Sequence, residues 1–387
     1  MIAPEPIFEP RGTPLSVVGR LKALSDMGYQ VDLLTYSIGE DFLLRGVRIR
    51  RIIRIPGINK VKIGPSIAKI PLDLCLFIKT GMTLLKQKYD CIHTHEEAGF
   101  WGVLFSKLFR IPHIYDMHSS LPQQLKNFQF THSKILIRIF EILELWVLKN
   151  ASGIITICPD LFHHVKGVCP EKESILIENV IDYGMVFGDE DRSAEIRKIY
   201  HLDGKCIVLY TGTFEPYQGL DLLIESSVKV ISRMESVVFF MVGGHPDQIS
   251  LYISKVHEKG VENHFIFTGQ VLPQEVNSYV RCADVLLSPR TSGTNTPLKI
   301  YAYLRSGVPI VATRLLTHTQ VLNNEVSVLT EPTIDGFAEG ILSAISDSDL
   351  RERIGKNAMR QAAEKYSYAA YMRKLQSVIK MSIERGL

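Results

Sequence analysis

No Cys-x-x-Cys pair occurs in this sequence. Its six cysteines, Cys75, Cys91, Cys158, Cys169, Cys206 and Cys282, are scattered through 387 residues. That pattern argues against a disulfide framework or a cysteine-paired zinc site and favours a reducing compartment. No apolar run is long enough to span a bilayer. The most apolar stretch, 63–85, is broken by Lys69, Asp73 and Lys79, where a membrane helix excludes charge. There is no secretory signal, no repeat and no low-complexity segment, so a cytoplasmic protein is expected. A strong charge of one sign is also missing. Charged residues make up 22% and the net charge is +3, which excludes a disordered chain or a strongly basic nucleic-acid binder. The imbalance is local. Residues 1–180 carry 22 lysines and arginines against 17 acids, and the remainder 22 against 24.

What is present is ample apolar material, 46% of the residues, and a length suited to about two domains. One stretch, 288–313, organises the rest. It reads as a small polar loop through Thr294 and Asn295, then a helix, a turn at Gly307 and an apolar strand. Thr296 fits the N-cap and Pro297 the first helical position, followed by Leu298. Lys299 falls in the first turn, where the helix dipole disfavours a cation by roughly 0.3–1 kcal/mol. Two readings stand side by side. Either the side chain bends away into solvent, or an anion sits before the helix, where unpaired N–H groups point outward.

In chain order the opening reads as the end of a strand, a loop through Gly12, a helix over 15–27 and a strand over 30–36. This is the β-loop-α-β unit of a parallel sheet. Two later strands end in His95 and His118, and ligands of open α/β sheets sit at the carboxyl ends of strands. A second series starts with a strand over 206–211 and a Gly-flanked loop containing Gly212, Thr213 and Gln218. Further strands fall at 237–242, 264–268 and 284–287, and helices at 335–345, 348–365 and 368–384. The expected fold class is α/β, two doubly wound Rossmann-like domains facing across a cleft. The expected boundaries are 1–182, 183–366 and a terminal helix over 367–387 that packs back on the first domain.

The segment 45–88 holds eleven basic residues and one acid, Asp73, mixed with Ile, Leu and Phe. It reads either as a strand with a solvated face plus a surface helix, or as a peripheral membrane surface lying against anionic lipid. No stacking aromatics interleave, so a nucleic-acid partner is not expected.

Gly12, His118, Glu178-Asn179-Val180-Ile181-Asp182, the 212–223 loop, Thr268-Gly269 and the 297–312 segment, in this order, resemble the GT-B glycosyltransferases of the retaining family 4 type. The resemblance covers nearly the whole chain. It implies a nucleotide-sugar donor held by the second domain and a glycan or lipid-linked acceptor at the first, in cell-envelope polysaccharide or glycolipid synthesis. It further implies His118 at the transferred sugar, with Gly212, Thr213 and Gln218 around the diphosphate; Lys299 is read as catalytic beside them, and Gly12 as a point of close backbone approach to the ligand. Gln270 and Val271 would meet the base. Arg290, Thr294, Asn295, Thr296, Pro297 and Leu298 would complete the donor site. No metal and no cofactor are implied, since basic side chains and helix dipoles take the leaving charge.

The departures fall on charge. The family's Arg and Lys in the glycine loop are Thr213 and Gln218 here, and its two glutamates are Thr294 and Ala302. Lys299, Arg290 and Arg11 are the available replacements for the cations. The leading expectation is a retaining glycosyltransferase. The alternatives are a GT-B scaffold that has lost its donor site and, behind that, a GT-B sugar-nucleotide epimerase.

Overall fold

The computed structural model describes residues 1–8, 12–61, 66–122, 133–180 and 183–386. Arg11, Ile181 and Asp182, named above, lie outside the described residues, as does Lys62 of the basic run 45–88. The chain divides into two compact units, 1–179 with 368–387, and 180–367.

The first unit runs β1 (Ile2–Ala3), α1 (Gly12–Asp26), β2 (Val31–Thr35), β3 (Val47–Arg51), α2 (Lys69–Lys86) and β4 (Ile92–His95). It continues with α3 (Ala98–Phe109), β5 (His113–Met117), α4 (Lys134–Asn150), β6 (Gly153–Thr156), α5 (Pro159–Val168) and β7 (Ser174–Leu176). All strands are parallel, in the order β3-β2-β1-β4-β5-β6-β7. The strand order reverses direction between β1 and β4. Strands β2, β4, β5 and β6 are buried along their whole length, as expected for a parallel sheet covered on both faces. Leu34, Tyr36, Leu72, Leu76 and Phe105 form one core cluster, and Val103, Tyr115, Val147 and Ile154 another.

The second unit runs β8 (Cys206–Gly212), α6 (Leu220–Ile231), β9 (Val237–Gly243), α7 (Pro246–Glu258), β10 (Phe265–Gly269) and β11 (Val285–Ser288). Then come α8 (Lys299–Ser306), β12 (Ile310–Thr313), β13 (Val328–Thr330), α9 (Ile334–Ser346) and α10 (Ser348–Lys365). Its parallel sheet has the order β10-β9-β8-β11-β12-β13 and reverses between β8 and β11. Val208, Tyr210, Leu287 and Val311 pack under Leu223 and Ile224 of α6 and Phe337 and Ile341 of α9. Each such side chain contributes roughly 1.5–3 kcal/mol on burial. The last helix, α11 (Tyr368–Gly386), belongs to the first unit: Ser382 lies against Gly153 of β6, and Tyr371 against Arg20 of α1.

Two helix starts differ from the sequence reading. Helix α1 begins at Gly12, not at residue 15, because Pro14 needs no N–H partner in a first turn. Gly12 is therefore helical. A Cβ there would meet nothing within 4 Å, so nothing inside the protein demands glycine at that position. Helix α8 begins at Lys299, with Leu298 as its N-cap. Thr296 does not cap it. Its Oγ1 is buried without a hydrogen-bond partner. The carbonyls of Pro297 and Leu298 instead accept from the N–H groups of Ile300 and Tyr301, at 3.0 and 3.2 Å. These i to i+3 bonds satisfy the first turn before a side chain is needed.

Helix α8 ends at Gly307, with φ 72°, a left-handed position that favours glycine. The Gly307 carbonyl lies 2.2 Å from where a Cβ on Gly355 of α10 would stand. Gly355→Ala should therefore push α8 and α10 apart and lower the unfolding free energy by about 1–3 kcal/mol. A denaturant midpoint equal to that of the wild type would show that the two helices separate freely.

Candidate functional site

Each sheet places its chemistry at its point of reversal, where the strand ends part and leave a crevice. In the second unit the strand ends are those of β8 and β11. Strand β8 runs out through Thr211 into Gly212, at φ 139°, and the chain returns through Gly219, at φ 77°. A Cβ on Gly219 would stand 1.9 Å from the Pro289 carbonyl, so only glycine lets the two loops touch. That contact sets Gln218 beside Arg290. Gln218 donates from Nε2 to Thr213 Oγ1 at 3.2 Å and accepts from Arg290 Nε at 3.3 Å. Arg290 Nη1 donates to the Asn295 carbonyl at 3.1 Å and to Thr317 Oγ1 at 3.0 Å. Its guanidinium stands 5.3 Å from the Tyr217 ring centroid.

Lys299 is the first residue of α8, yet it does not extend into solvent. Its Nζ donates to the Thr211 carbonyl at 3.0 Å and lies 3.8 Å from the Tyr210 ring centroid. Burial, and then the positive Arg290, hold its pKa well below the usual lysine range. Burial also lowers Arg290. Among the described residues neither basic group has a carboxylate partner, so the Gly212 loop faces an unbalanced guanidinium and a lysine whose charged form burial disfavours. The Thr294 carbonyl accepts from Gln320 Nε2 at 2.5 Å.

Gly212, Thr213, Gln218, Arg290, Asn295 and Lys299 thus come together, and Thr296, Pro297 and Leu298 lead into α8. Gln270 and Val271 stand apart from them in the strand order. They follow β10 at the sheet edge, with β9 standing between β10 and β8. Sequence reasoning missed the aromatic support. Tyr303 OH accepts from the Thr211 N–H at 3.1 Å and bonds Thr211 Oγ1 at 2.9 Å. His318, kept neutral by burial at about 3, bridges Ser288 and Thr313 across the ends of β11 and β12.

In the first unit the site is a buried charge network. Arg20 Nε donates to Asp116 Oδ2 at 2.7 Å, both side chains being fully buried. Arg20 Nη2 also reaches the Ile177 carbonyl at 3.3 Å, and the guanidinium lies 4.8 Å from the Tyr371 ring centroid. Burial alone would raise Asp116; Arg20 and then His118 outweigh it and hold the carboxylate well below its usual range. His93 Nε2 lies 3.3 Å from Asp116 Oδ2, and His118 Nε2 lies 3.4 Å from Asp116 Oδ1 and 2.9 Å from His95 Nδ1. A carboxylate only accepts, so a proton on His118 Nε2 is one that Asp116 can receive, with His95 Nδ1 beside the same nitrogen. His118 is thereby held in orientation.

Glu96, at the end of β4, links the neighbours of Gly12 and His118. It accepts from Thr13 Oγ1 at 3.3 Å and Ser119 Oγ at 2.8 Å. Burial raises its pKa against the opposing pull of His118. Its positive φ of 48° has no sequence signal. Arg20 had one, a charge on the apolar face of a helix.

His93, His95 and Asp116 bring ligand atoms within 4.8 Å of one another. Asp116 is already charge-matched by Arg20, so a divalent ion there would have to break a buried ion pair. The basic stretch 45–88 also finds internal partners. Arg48 and Arg50 pair with Asp32, Arg51 with Asp41, and Lys69 with Glu97. The sequence reading placed one acid against this run; the fold brings in several from outside it.

Two doubly wound parallel-sheet units in one chain define the GT-B fold. Residues 12–184 match the family model described as Glycosyltransferase Family 4, and residues 191–361 the one described as Glycosyl transferases group 1. Together these models take in most of the chain, which belongs to this glycosyltransferase family. An uncharacterized glycosyltransferase of Methanocaldococcus jannaschii is 24% identical over 96% of this chain and 95% of its own length. The phosphatidyl-myo-inositol mannosyltransferase of Mycobacterium tuberculosis is 23% identical over 91% and 89%. The structure of Anabaena HepE in complex with UDP-glucose superposes with a TM-score of 0.75 and 17% identity over 98% of each chain.

The buried histidines make the first unit acid-sensitive. Burial brings His113 to about 3 and lowers His93 and His95 as well, from an ordinary value of 6.5. Between the folded and unfolded values only the unfolded chain binds these protons. Stability is therefore full above about 6.5 and falls as pH drops below it, by about 1.4 kcal/mol per pH unit for each such histidine. Trp101 and Trp146, the two tryptophans of the chain, both report on this unit. Their fluorescence should give a lower urea midpoint at acid than at neutral pH, and a flat midpoint would refute the account.

Proposed function

We propose that this chain transfers a sugar from a nucleotide-diphosphate sugar to a glycan or lipid-linked acceptor, with retention of configuration and without a metal. One observation carries the reading: Lys299 and Arg290 meet at the Gly212 loop, half-buried, with no carboxylate to balance them among the described residues. The family's loop cations are Thr213 and Gln218 here, and these two residues supply the charge from the neighbouring strand end and helix. A leaving diphosphate is the anion such a pair stabilises as charge develops on it. A scaffold without a donor site has no use for two desolvated cations. The UDP-glucose complex of the HepE structure supports a nucleotide sugar as donor, and the phosphatidylinositol-directed relative supports an acceptor at a lipid surface. His118, oriented by Asp116, serves the transferred sugar. Among the described residues no helix is long and apolar enough to cross a membrane, so such an acceptor would be met from the surface.

The test is Lys299→Met. The folded lysine titrates below its unfolded value, so its charge opposes folding at neutral pH. The variant should melt at the same temperature or higher. Its affinity for UDP-glucose or another nucleotide sugar should fall roughly 10- to 100-fold, the loss of one charge-assisted hydrogen bond. Anion binding draws a proton onto Lys299, so wild-type affinity should weaken as pH rises and the variant's should not. Equal affinities by calorimetry would end the proposal. His118→Ala should lower kcat by about 100-fold with little change in donor KM; an unchanged turnover number removes His118 from the reaction.

A further inference from the structure

Helix α2 carries apolar residues on both of its sides. Leu72, Leu76, Thr80 and Thr83 face the sheet and are buried. Ile70, Leu74, Ile78, Met82 and Leu85 recur on the opposite side and are exposed, Leu74 by 60% and Leu85 by 76%. The outward face of a surface helix is normally polar. Here Lys86 is the one charged residue of α2 that is exposed. The neighbouring helices continue the pattern. Helix α3 packs against both α2 and α4 and exposes Leu104, Lys107 and Leu108. Helix α4 exposes Ile135, Ile139 and Ile142 together with Lys134, Arg138 and Lys149.

No acid is exposed on any of the three helices. Asp73 is half-buried and accepts from the Tyr36 hydroxyl at 2.5 Å. Glu144 is buried, and Glu141 is half-buried and paired with Arg138 at 3.1 Å. The face therefore offers apolar side chains set among basic ones, with Glu141 the one partly accessible acid of α4 and paired to Arg138. We infer that α2, α3 and α4 form a docking face for an anionic lipid bilayer, the apolar residues entering the interface and the lysines and arginines meeting the headgroups.

Charge selects this occupant. A second copy docked through the same face by a two-fold axis would set lysines and arginines against lysines and arginines with no exposed acid to pair them. The face also differs from the basic strand β3, whose arginines are held by Asp32 and Asp41. The inference extends the glycosyltransferase reading by naming where a lipid-linked acceptor would be met, but it stands on the first unit alone.

The experiment is co-sedimentation with vesicles of phosphatidylglycerol and phosphatidylcholine and with vesicles of phosphatidylcholine alone. The wild type should bind the anionic vesicles, and binding should weaken as salt rises from about 0.1 M to about 1 M. Leu74→Glu with Ile78→Glu, both at exposed positions, should reduce binding roughly tenfold or more while leaving the tryptophan-detected melt unchanged. Lys107→Glu with Arg138→Glu should abolish the preference for anionic vesicles. Absence of wild-type binding at low salt overturns the inference, as do equal binding to both vesicle types and full binding by the Leu74/Ile78 variant. A dimer that this variant converts to monomer, without vesicle binding, overturns it in favour of a second copy. Calorimetry with UDP-glucose on the same samples separates the two proposals. Lost vesicle binding with intact nucleotide binding removes the docking face alone, and the reverse removes the donor reading alone.

Discussion

The first unit depends on the ion pair between Arg20 and Asp116. Both groups are fully buried, and removing one partner of such a pair costs about 3–5 kcal/mol because the other charge is left bare. Four elements are tied to it. Arg20 comes from α1 and Asp116 from β5; the Ile177 carbonyl follows β7, and Tyr371 stacks from α11. His93, His95 and His118 take their positions around the same carboxylate. The pair therefore fixes the fold and the orientation of His118 together, and neither can be altered alone.

The second unit treats charge in the opposite way. Its sheet also brings two basic groups, Lys299 and Arg290, to the point of strand reversal, but no acid pairs with them among the described residues. Their supports are carbonyls, hydroxyls and aromatic rings, which orient a positive charge without cancelling it. A compensated charge holds a structure, whereas an uncompensated one waits for a ligand. That contrast between two sheets of like topology separates the paired network of the first unit from the unpaired basic groups of the second. Steric constraint completes the arrangement, since the contact of Gly219 with Pro289 is what lets Gln218 reach Arg290.

The same logic reads the surface. The arginines of β3 look like a free basic patch in sequence, yet acids from β2 and the loop after it hold them. The apolar stripe of α2 looks like core, yet it has no cover among the described residues. In each case the composition of the segment was visible, and the direction its side chains face decided what it means.

The sequence by itself determined the element order, because buried parallel strands must be continuous apolar runs bounded by glycine and polar turns, as at 206–211 and 237–242. It also marked Lys299, a cation in a first helical turn, and His118, a histidine at a strand end. These signals are local, carried by residue type and position within one element. Tertiary structure alone decided the rest. Thr296 looked like a helix cap, but the turn at Pro297 and Leu298 satisfied the helix first. Glu96 became the link between Thr13 and Ser119, residues 106 positions apart in the chain, and Gln218 became the bridge from Thr213 to Arg290. Such roles depend on which strand ends the sheet sets side by side, and no spacing along the chain encodes that, because strand order is fixed by how whole helices and strands pack.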